Sequence, residues 1–314
     1  MEELKLQNRR TFVKNSLLAG ISIPFIQNKS IFKNNNRIKI TILHTNDMHS
    51  HIDPFSINSK HSGMGGMTRV SSLVKEIRKI ETNVLLLDAG DIFQGTPYFN
   101  RYKGKLELQI MSEMGYCAST MGNHDFDNGL DGFLNVLPNA NFPFLCANYD
   151  FSNTILKNKT KPYQIVEIDN VKIGIIGIGI KLEGLVDENL FQKTIYLDPV
   201  DKANQWAKHL KHEEQCNFII CLSHLGYEYN NDKISDIKLA KQSKNIDLII
   251  GGHTHTFLDN AKEIKNISGK DVLINQAGWG ALSLGRIDLF FDKTSNQNNN
   301  LAITKLPKKN YAKI

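Results

Sequence analysis

Cysteine is scarce in this sequence, and its four cysteines are scattered along the chain at Cys117, Cys146, Cys216 and Cys221. None belongs to a C-x-x-C pair, and four cysteines are too few to hold together a chain of 314 residues. A small disulfide-stabilised scaffold is therefore excluded. We interpret the four residues as small apolar side chains of the core, because free cysteine is among the most frequently buried residue types.

A hydrophobic run long enough to cross a membrane is also missing near the N-terminus. Residues 15–28 carry no charge, but a bilayer span needs roughly 20 apolar residues. They follow Arg9-Arg10-Thr11-Phe12-Val13-Lys14, which is typical of the basic and apolar regions of a signal peptide. The adjacent arginines resemble a twin-arginine signal, which exports proteins that are already folded. The alternative interpretation of this segment is a disordered basic tail. We predict a signal peptide and linker in residues 1–36 and a periplasmic or otherwise exported protein.

An excess of positive charge is absent from the body of the chain, although the whole sequence has a net charge of +6. The first 37 residues carry seven Lys and Arg against two Glu, and the last 14 carry four Lys and no acid. Residues 38–300 therefore have a net charge of −3. Counterion release from a polyanion is not an obvious source of affinity for such a body, and we expect no nucleic-acid polymer as a partner.

The remaining pattern is that of an α/β protein, because β-branched runs alternate with amphipathic helical stretches. Apolar residues keep helical spacing at 67–77 and at 106–114. No internal repeat or linker interrupts the body, so we predict one domain from about residue 37 to about residue 305 and a basic tail at 306–314. The predicted strands are 38–43, 84–87, 142–146, 171–178, 218–222, 246–250, 272–274 and 287–291.

Polar residues that can bind metal are concentrated where predicted strands stop. In open α/β sheets the carboxyl ends of the strands face the crevice that binds ligands, so these residues should converge on one site. Imidazole, carboxylate and amide groups without thiolate form a mixed nitrogen and oxygen set that suits divalent ions. The candidate metal ligands are Asp47, His49, Asp91, Asn123, His224, His253 and His255.

Seven ligands exceed the four that a structural zinc needs and are enough for two ions. A bridging carboxylate would hold two ions roughly 3.5–4 Å apart, where they activate a water for in-line displacement at phosphorus. Taken singly, Asp47-x-His49 could be a polar loop, Gly90-Asp91 a turn, and His224 a hydrogen-bonded surface histidine. His44 and His51 flank the first cluster without matching its ligand spacing, and His61 lies in a loop that contains Ser and Gly. The glycine-rich segment 63–66 lacks the ending of a P-loop and should instead let the helix that begins near Met67 pack closely.

Gly252-His253-Thr254-His255 is a stronger pattern, because alternate residues of an extended segment point the same way. Gly122-Asn123-His124-Asp125 is the most specific one, because a turn does not require His and Asp after Gly-Asn. In their order along the chain, the motifs resemble the calcineurin-like metallophosphoesterase superfamily. The longer strings at 43–49, 65–69 and 122–127 are similar to its 5′-nucleotidase and UDP-sugar hydrolase family. This resemblance implies a four-layer α/β/β/α sandwich with two mixed β-sheets.

The resemblance also assigns roles to the candidate residues. It implies that a metal-bridging hydroxide is the nucleophile, that Asn123 and His124 contact substrate, and that His124 is a catalytic residue paired with Asp127. The ions would be Mn, Zn, Co or Fe. The implied ligand sets are Asp47, His49, Asp91 and His255 for one ion and Asp91, Asn123, His224 and His253 for the other, with Asp91 as the bridge.

The expected activity is two-metal hydrolysis of phosphomonoesters, with nucleotides as substrates. The alternatives left open are a cyclic-nucleotide or other phosphodiesterase, a sulfur-ester hydrolase, and a non-catalytic subunit of a split nucleotidase. The resembling family continues with a further domain whose aromatic residues stack the nucleobase, whereas this sequence stops at Ile314 without a candidate for that role. We therefore expect a separately encoded partner that resembles this C-terminal domain.

Overall fold

The computed structural model describes residues 37–292 and the backbone of residues 302 and 303. The predicted signal peptide and linker, including Arg9 and Arg10, and the predicted basic tail lie outside the described residues. No helix in the described part of the chain is both long and apolar enough to span a bilayer.

The first sheet contains six strands: β1 (Arg37–Thr45), β2 (Val84–Asp88), β3 (Ala118–Thr120), β4 (Phe144–Leu145), β13 (Gly285–Asp292) and β14 (Ala302–Ile303). Their order across the sheet is β14-β13-β1-β2-β3-β4. Strand β1 is antiparallel to β13 and parallel to β2, so Ile42 lies between Ile287 and Leu85. The sheet is mixed, and β1 to β4 all run in the same direction.

The second sheet also has six strands: β6 (Tyr163–Ile168), β7 (Val171–Ile178), β9 (Phe218–Ser223), β10 (Leu248–Gly251), β11 (Lys262–Lys265) and β12 (Asp271–Asn275). Their order is β11-β12-β10-β9-β7-β6. The four inner strands are parallel, and the two edge strands are antiparallel to their neighbours. A separate two-stranded ribbon joins β5 (Tyr149–Asp150) to β8 (Ile195–Tyr196).

Seven α-helices occur in the described residues: α1 (Met67–Ile80), α2 (Pro97–Tyr102), α3 (Lys105–Met114), α4 (Gly129–Val136), α5 (Glu188–Phe191), α6 (Pro199–His212) and α7 (Asp236–Gln242). Helix α1 buries Met67, Val70, Val74 and Ile77, which the helical spacing of the sequence predicts. It begins after Gly66, where φ is +87° and a Cβ atom would lie 2.6 Å from backbone of the preceding loop. The glycine-rich segment therefore lets the start of α1 pack closely, as expected.

Three buried cores separate four layers. Between the two sheets lie residues such as Ile42 of β1 and Ile175 of β7. Side chains alternate along a strand, so Leu43 faces the other way, into a core that Val74 of α1 shares. Helices α6 and α7 cover the outer face of the second sheet, for example through Ala207. The predicted α/β/β/α sandwich with two mixed sheets is confirmed.

The predicted strands are present, although their lengths differ. The run 171–178 coincides with β7, whereas the predicted strand 142–146 shrinks to the two residues of β4. Strands β3, β5, β6, β8, β11 and β14 were not predicted, because four of them have only two or three residues and β11 exposes most of its side chains. A short or solvent-facing strand lacks the continuous apolar run on which the sequence argument depends.

The carboxyl ends of the inner strands meet at one edge of the sandwich. The ring of His224, which follows β9, lies 2.6 Å from the carbonyl oxygen of Ala89, which follows β2. The backbone N–H of Asp47, after β1, donates to the carbonyl of Gly90. Loops from both sheets are thus hydrogen-bonded to one another, and the crevice expected from the strand directions lies between them.

Candidate metal centre

The loop that follows β1 is held in place by Asn46. Its side-chain amide donates to the carbonyl oxygen of Gly278 at 2.6 Å, and its oxygen accepts the N–H of Ala277 at 2.7 Å. The same amide donates to the carboxylate of Asp47 at 2.6 Å. Asn46 therefore ties the β1 loop to the segment after β12 and orients the first candidate ligand. No role for Asn46 was predicted from the sequence.

The first group of candidate ligands consists of Asp47, His49 and His255, whose ligand atoms all lie within 4.8 Å of one another. Asp47 Oδ1 is 3.3 Å from His255 Nε2 and 3.9 Å from His49 Nε2. The two imidazole nitrogens are 3.0 Å apart. Nitrogen and oxygen donors thus point at a common position, as ligands of one cation do.

The second group consists of Asp91, His224 and His253, and its ligand atoms meet the same 4.8 Å limit. His224 Nε2 lies 3.0 Å from Asp91 Oδ2. Asn123 joins this group, because its Oδ1 atom lies 2.8 Å from His253 Nδ1. The second group therefore combines two imidazoles, one carboxylate and one amide oxygen.

Asp91 connects the two groups. Its Oδ2 atom is 3.0 Å from His224 of the second group and 3.9 Å from His49 of the first. Its Oδ1 atom accepts the backbone N–H of His124 at 2.8 Å. A Cβ atom on Gly122 would lie only 2.2 Å from that oxygen, so only glycine leaves room for the carboxylate.

The residues of the two groups fit divalent ions. His224 Nε2 is buried and has no hydrogen-bond partner among the described residues, although Asp91 Oδ2 is 3.0 Å away. The two atoms are close but are not aligned for a hydrogen bond. This arrangement is expected when both atoms point at a cation between them. A thiolate-free set of imidazole, carboxylate and amide donors suits borderline to hard divalent ions.

In the protein without bound metal, the close approach of these carboxylates and imidazoles shifts their pKa values. Burial would lower the pKa of His224, but the carboxylates of Asp91 and Asp47 outweigh burial and raise that pKa to about 10. Burial likewise opposes ionisation of Asp91, yet nearby histidines, His224 first, hold its pKa below the usual range. Burial and the positive His224 lower the pKa of His253 to about 4. A buried positive charge is therefore favoured beside Asp91.

Five of the seven candidate ligands have left-handed backbone conformations. The φ angles are +49° at Asp47, +47° at His49, +56° at Asp91, +72° at His253 and +52° at His255. Each such residue costs about 1 kcal/mol or more relative to a relaxed conformation. Strained residues of this kind persist where the surrounding structure over-determines them, and here they are concentrated at the candidate site.

His124 and Asp127 form a pair beside the two groups. His124 Nδ1 lies 2.7 Å from Asp127 Oδ2, and the hydrogen bond to Asp127 is the main cause that raises the pKa of His124. The ring of His124 stands edge-on to the ring of His49, with centroids 5.2 Å apart. His124 is half-exposed, so it can reach a molecule bound in the crevice. All nine residues predicted for the site thus lie together.

Asp125 has a role that the sequence argument missed. Its buried carboxylate accepts four backbone N–H groups: those of Asp91 at 3.0 Å, Ile92 at 3.0 Å, Phe93 at 3.2 Å and Gly122 at 2.8 Å. Burial and the neighbouring Asp91 raise the pKa of Asp125 to about 7, and the Gly122 N–H acts in the opposite direction. The only available signal in the sequence was that Asp125 follows His124, because a side chain that accepts hydrogen bonds from backbone N–H groups leaves no spacing pattern.

Comparison with known proteins agrees with this geometry. The family model described as calcineurin-like phosphoesterase matches residues 40–257, a span that contains all nine site residues. The chain belongs to the calcineurin-like phosphoesterase family. Within this family the curated relatives that it matches include 5′-nucleotidases, as the strings at 43–49 and 122–127 indicated. The snake venom 5′-nucleotidase of Gloydius brevicauda is 34% identical over 281 residues, which cover 82% of this chain and 46% of that protein.

Solved structures of phosphoesterase relatives match in the same region. The 5′-nucleotidase precursor of Thermus thermophilus superposes with a TM-score of 0.76 and 32% identity, covering 85% of this chain and 54% of the other. The NAD nucleotidase of Haemophilus influenzae gives a TM-score of 0.72 and 30% identity, covering 86% and 50%. The chain thus spans about half the length of these relatives. The matched part of this chain includes the candidate metal centre.

Replacing Asp125 with Asn should destabilise the protein and empty the metal centre. An amide offers one acceptor oxygen, so buried N–H groups would be left unpaired at about 1–3 kcal/mol each. At pH 8, above the raised pKa of Asp125, we expect Asp125→Asn to lower the free energy of unfolding by about 2–5 kcal/mol. Chemical denaturation and elemental analysis of bound metal measure the two effects.

Asp131→Asn is the matched control, because Asp131 is exposed on α4 and pairs only with the side chain of Gln192 among the described residues. Its effect should stay within about 0.5 kcal/mol. If Asp125→Asn keeps both stability and metal content, the carboxylate does not hold the loop that carries Asp91.

Proposed function

We propose that this protein is a two-metal phosphomonoesterase that acts on nucleotides. The observation that carries the proposal is the shared position of Asp91 between two groups of ligand atoms, with the His124–Asp127 pair beside them. One carboxylate between two sets of nitrogen and oxygen donors is the arrangement that two-metal phosphoester hydrolysis requires. Nucleotides are the proposed substrates because the relatives named above are nucleotidases.

The proposed ligand sets share Asp91. When bound, two divalent ions would activate a water and neutralise charge on the transferring phosphoryl group. Within each set the ligand atoms lie close to one another. The proposed ions are Mn, Zn, Co or Fe. The sets are Asp47, His49, Asp91 and His255 for the first ion and Asp91, Asn123, His224 and His253 for the second.

His124 is proposed as the acid that protonates the departing ester oxygen. A carboxylate that accepts a hydrogen bond from one ring nitrogen favours the protonated imidazole and leaves the other nitrogen free to donate. Asp127 occupies that position at 2.7 Å. Asn123, which is buried, and the partly exposed His124 are neighbours in the chain beside the centre and would contact the phosphate group.

A phosphodiesterase would use the same centre, so the substrate class needs a direct test. Hydrolysis of p-nitrophenyl phosphate is compared with that of bis-p-nitrophenyl phosphate, each with added Mn²⁺, Co²⁺ or Zn²⁺. We expect the monoester to react faster by at least tenfold. Faster cleavage of the diester would replace phosphomonoesterase by phosphodiesterase, and the absence of any turnover with all three metals would favour a non-catalytic binding protein.

Export is proposed as the second part of the function. The segment that supports it, with Arg9 and Arg10, lies outside the described residues, and the support is the sequence pattern alone. An extracytoplasmic phosphomonoesterase would release phosphate and nucleosides from molecules that the cell has not yet imported. The separately encoded C-terminal partner stays a prediction of the sequence argument.

Active protein should contain two divalent ions per chain, and Asp91→Asn should cost more activity than His49→Asn. Changing a residue that supports one metal typically lowers metal affinity or activity 10–100-fold, and Asp91 would serve two ions. We therefore expect Asp91→Asn to lower kcat/KM more than about 100-fold. Elemental analysis and steady-state kinetics give both quantities. One ion per active chain would contradict the two-metal mechanism.

His124→Asn should lower kcat by roughly 10²–10⁴-fold while metal content remains near that of the unchanged protein, because general acid catalysis contributes about this much. Asp127→Asn should have a smaller effect, since it alters only the orientation and charge of the ring. Loss of metal from His124→Asn would show instead that this histidine is needed for ligation.

Replacing Arg9 and Arg10 together with Lys should leave the precursor in the cytoplasm, because the charge is kept while the twin-arginine signal is lost. Cell fractionation and immunoblotting of the two proteins measure the effect. Normal export of the double variant would indicate another secretion route.

A further inference from the structure

Two of the candidate histidine ligands are oriented by hydrogen bonds to the backbone. The Nδ1 atom of His49 lies 3.3 Å from the carbonyl oxygen of Phe93, and that of His224 lies 2.6 Å from the carbonyl oxygen of Ala89. A histidine that binds metal through one ring nitrogen usually donates its other N–H to a carbonyl, a carboxylate or water, which fixes the tautomer and the ring orientation. Both imidazoles therefore meet the usual requirement.

His255 lacks such a hydrogen bond. Its Nε2 atom lies 3.3 Å from Asp47 and 3.0 Å from His49, and within the described residues these are the polar contacts of the ring. The Nδ1 atom has no partner there. The side chain of His255 is 39% exposed, against 8% for His49 and 0% for His224. The most exposed of these three imidazoles therefore needs another interaction to hold its orientation.

The indole ring of Trp279 lies against His255. The two ring centroids are 5.6 Å apart, and the interplanar angle of 12° makes the rings nearly parallel. The indole also stands edge-on to the rings of His51 and Phe55, at 5.5 and 5.3 Å. Aromatic rings with centroids about 4.5–7 Å apart attract one another in stacked and edge-to-face arrangements. Trp279 is thus held by two rings and presents its face to His255.

The backbone on both sides of Trp279 requires glycine. Gly278 and Gly280 have left-handed conformations, with φ angles of +77° and +60°. A Cβ atom on Gly278 would lie 2.1 Å from the ring of Phe257, and one on Gly280 would lie 2.7 Å from the ring of Phe55. A larger residue at either position would be strained and would also clash with an aromatic ring. The sequence Gly-Trp-Gly therefore determines where the indole lies.

This segment, which connects β12 to β13, is hydrogen-bonded to the two loops that carry Asp47 and His255. The N–H of Gly280 donates to the carbonyl of Asp47 at 2.7 Å. The N–H of Gly278 donates at 3.0 Å to the carbonyl of the residue that follows His255. Trp279 lies between these two hydrogen bonds, so its ring is fixed relative to both residues of the first group of candidate ligands.

We propose that Trp279 is a positioning residue, which orients His255 for the first ion by stacking where the other histidines use a hydrogen bond. This role rests on the ligand sets proposed above. The rings that contact Trp279 in the described part of the chain are those of His51, Phe55, His61 and His255, and none of them belongs to the second set. Binding of the first ion therefore depends on Trp279, whereas binding of the second ion does not.

Trp279→Leu should weaken the binding of one ion about 10–100-fold and leave the other unchanged, because removing the group that orients a metal-binding histidine has an effect of this size. Isothermal titration of the metal-free full chain with Mn²⁺, with elemental analysis after dialysis, measures the two ions. Trp279→Phe keeps an aromatic face and should retain both. The matched control is Trp206→Leu, because Trp206 is also half-buried and lies 5.6 Å from a histidine ring, His209, but edge-on and on α6.

Tryptophan fluorescence gives a second signal that does not depend on the folding of Trp279→Leu. The chain contains two tryptophans, so Trp206→Phe leaves Trp279 alone. Co²⁺ quenches a nearby indole, and we expect the fluorescence of Trp206→Phe to fall as the first ion binds. The fluorescence of Trp279→Phe, which comes from Trp206, should stay nearly constant. In Trp206→Phe/His255→Ala the quenching should require at least about tenfold more Co²⁺.

Three results would overturn the positioning role: unchanged affinity for both ions in Trp279→Leu, equal weakening of both ions, or a loss in Trp279→Phe as large as that in Trp279→Leu. The two-metal proposal fails separately, if the unchanged protein binds a single ion. The role of Trp279 then stands if that ion quenches Trp279 and binds more weakly in Trp279→Leu, and it falls otherwise. A protein that binds no divalent ion would overturn both proposals.

Discussion

Four backbone N–H groups converge on the buried carboxylate of Asp125, and the arrangement of the candidate metal centre depends on that convergence. The interaction fixes the strained turn after β2, and this turn carries Asp91 between the two groups of ligand atoms. Asp91 then accepts the N–H of His124, which places the proposed acid. A single acceptor thus determines the positions of the central candidate ligand, Asp91, and of His124, the proposed catalytic histidine. The rest of the sandwich brings the loops close enough for this to happen.

Much of this arrangement could be predicted from the sequence. β1, β2, β9 and β10 are apolar runs that stop at polar clusters, and the rule that parallel strands expose their carboxyl ends at one edge was enough to bring His49, Asp91, His224 and His255 together. The packing of two sheets face to face came from the family resemblance, because strand patterns alone do not distinguish one open sheet from two. The spacing of Asp47 and His49 could not reveal which backbone groups would orient them.

What escaped prediction depends on contacts between distant segments. Asn46 bonds to backbone more than 200 residues away, and Asp125 acts on N–H groups about 30 residues before it. Neither interaction has a sequence signature, since a backbone group is the same at every residue.

The left-handed conformations of five candidate ligands have an evolutionary consequence. Their strain is tolerated because the site needs side chains at those positions, and glycine would relieve it at a gain of up to about 1 kcal/mol per residue. A descendant of this protein that no longer needed metal could therefore gain stability by losing its ligands. Decay of the centre would start at Asp47, His49, Asp91, His253 or His255 rather than at Asn123 or His224. Glycines at those five positions would thus be the earliest trace of a phosphoesterase that had become a binding protein.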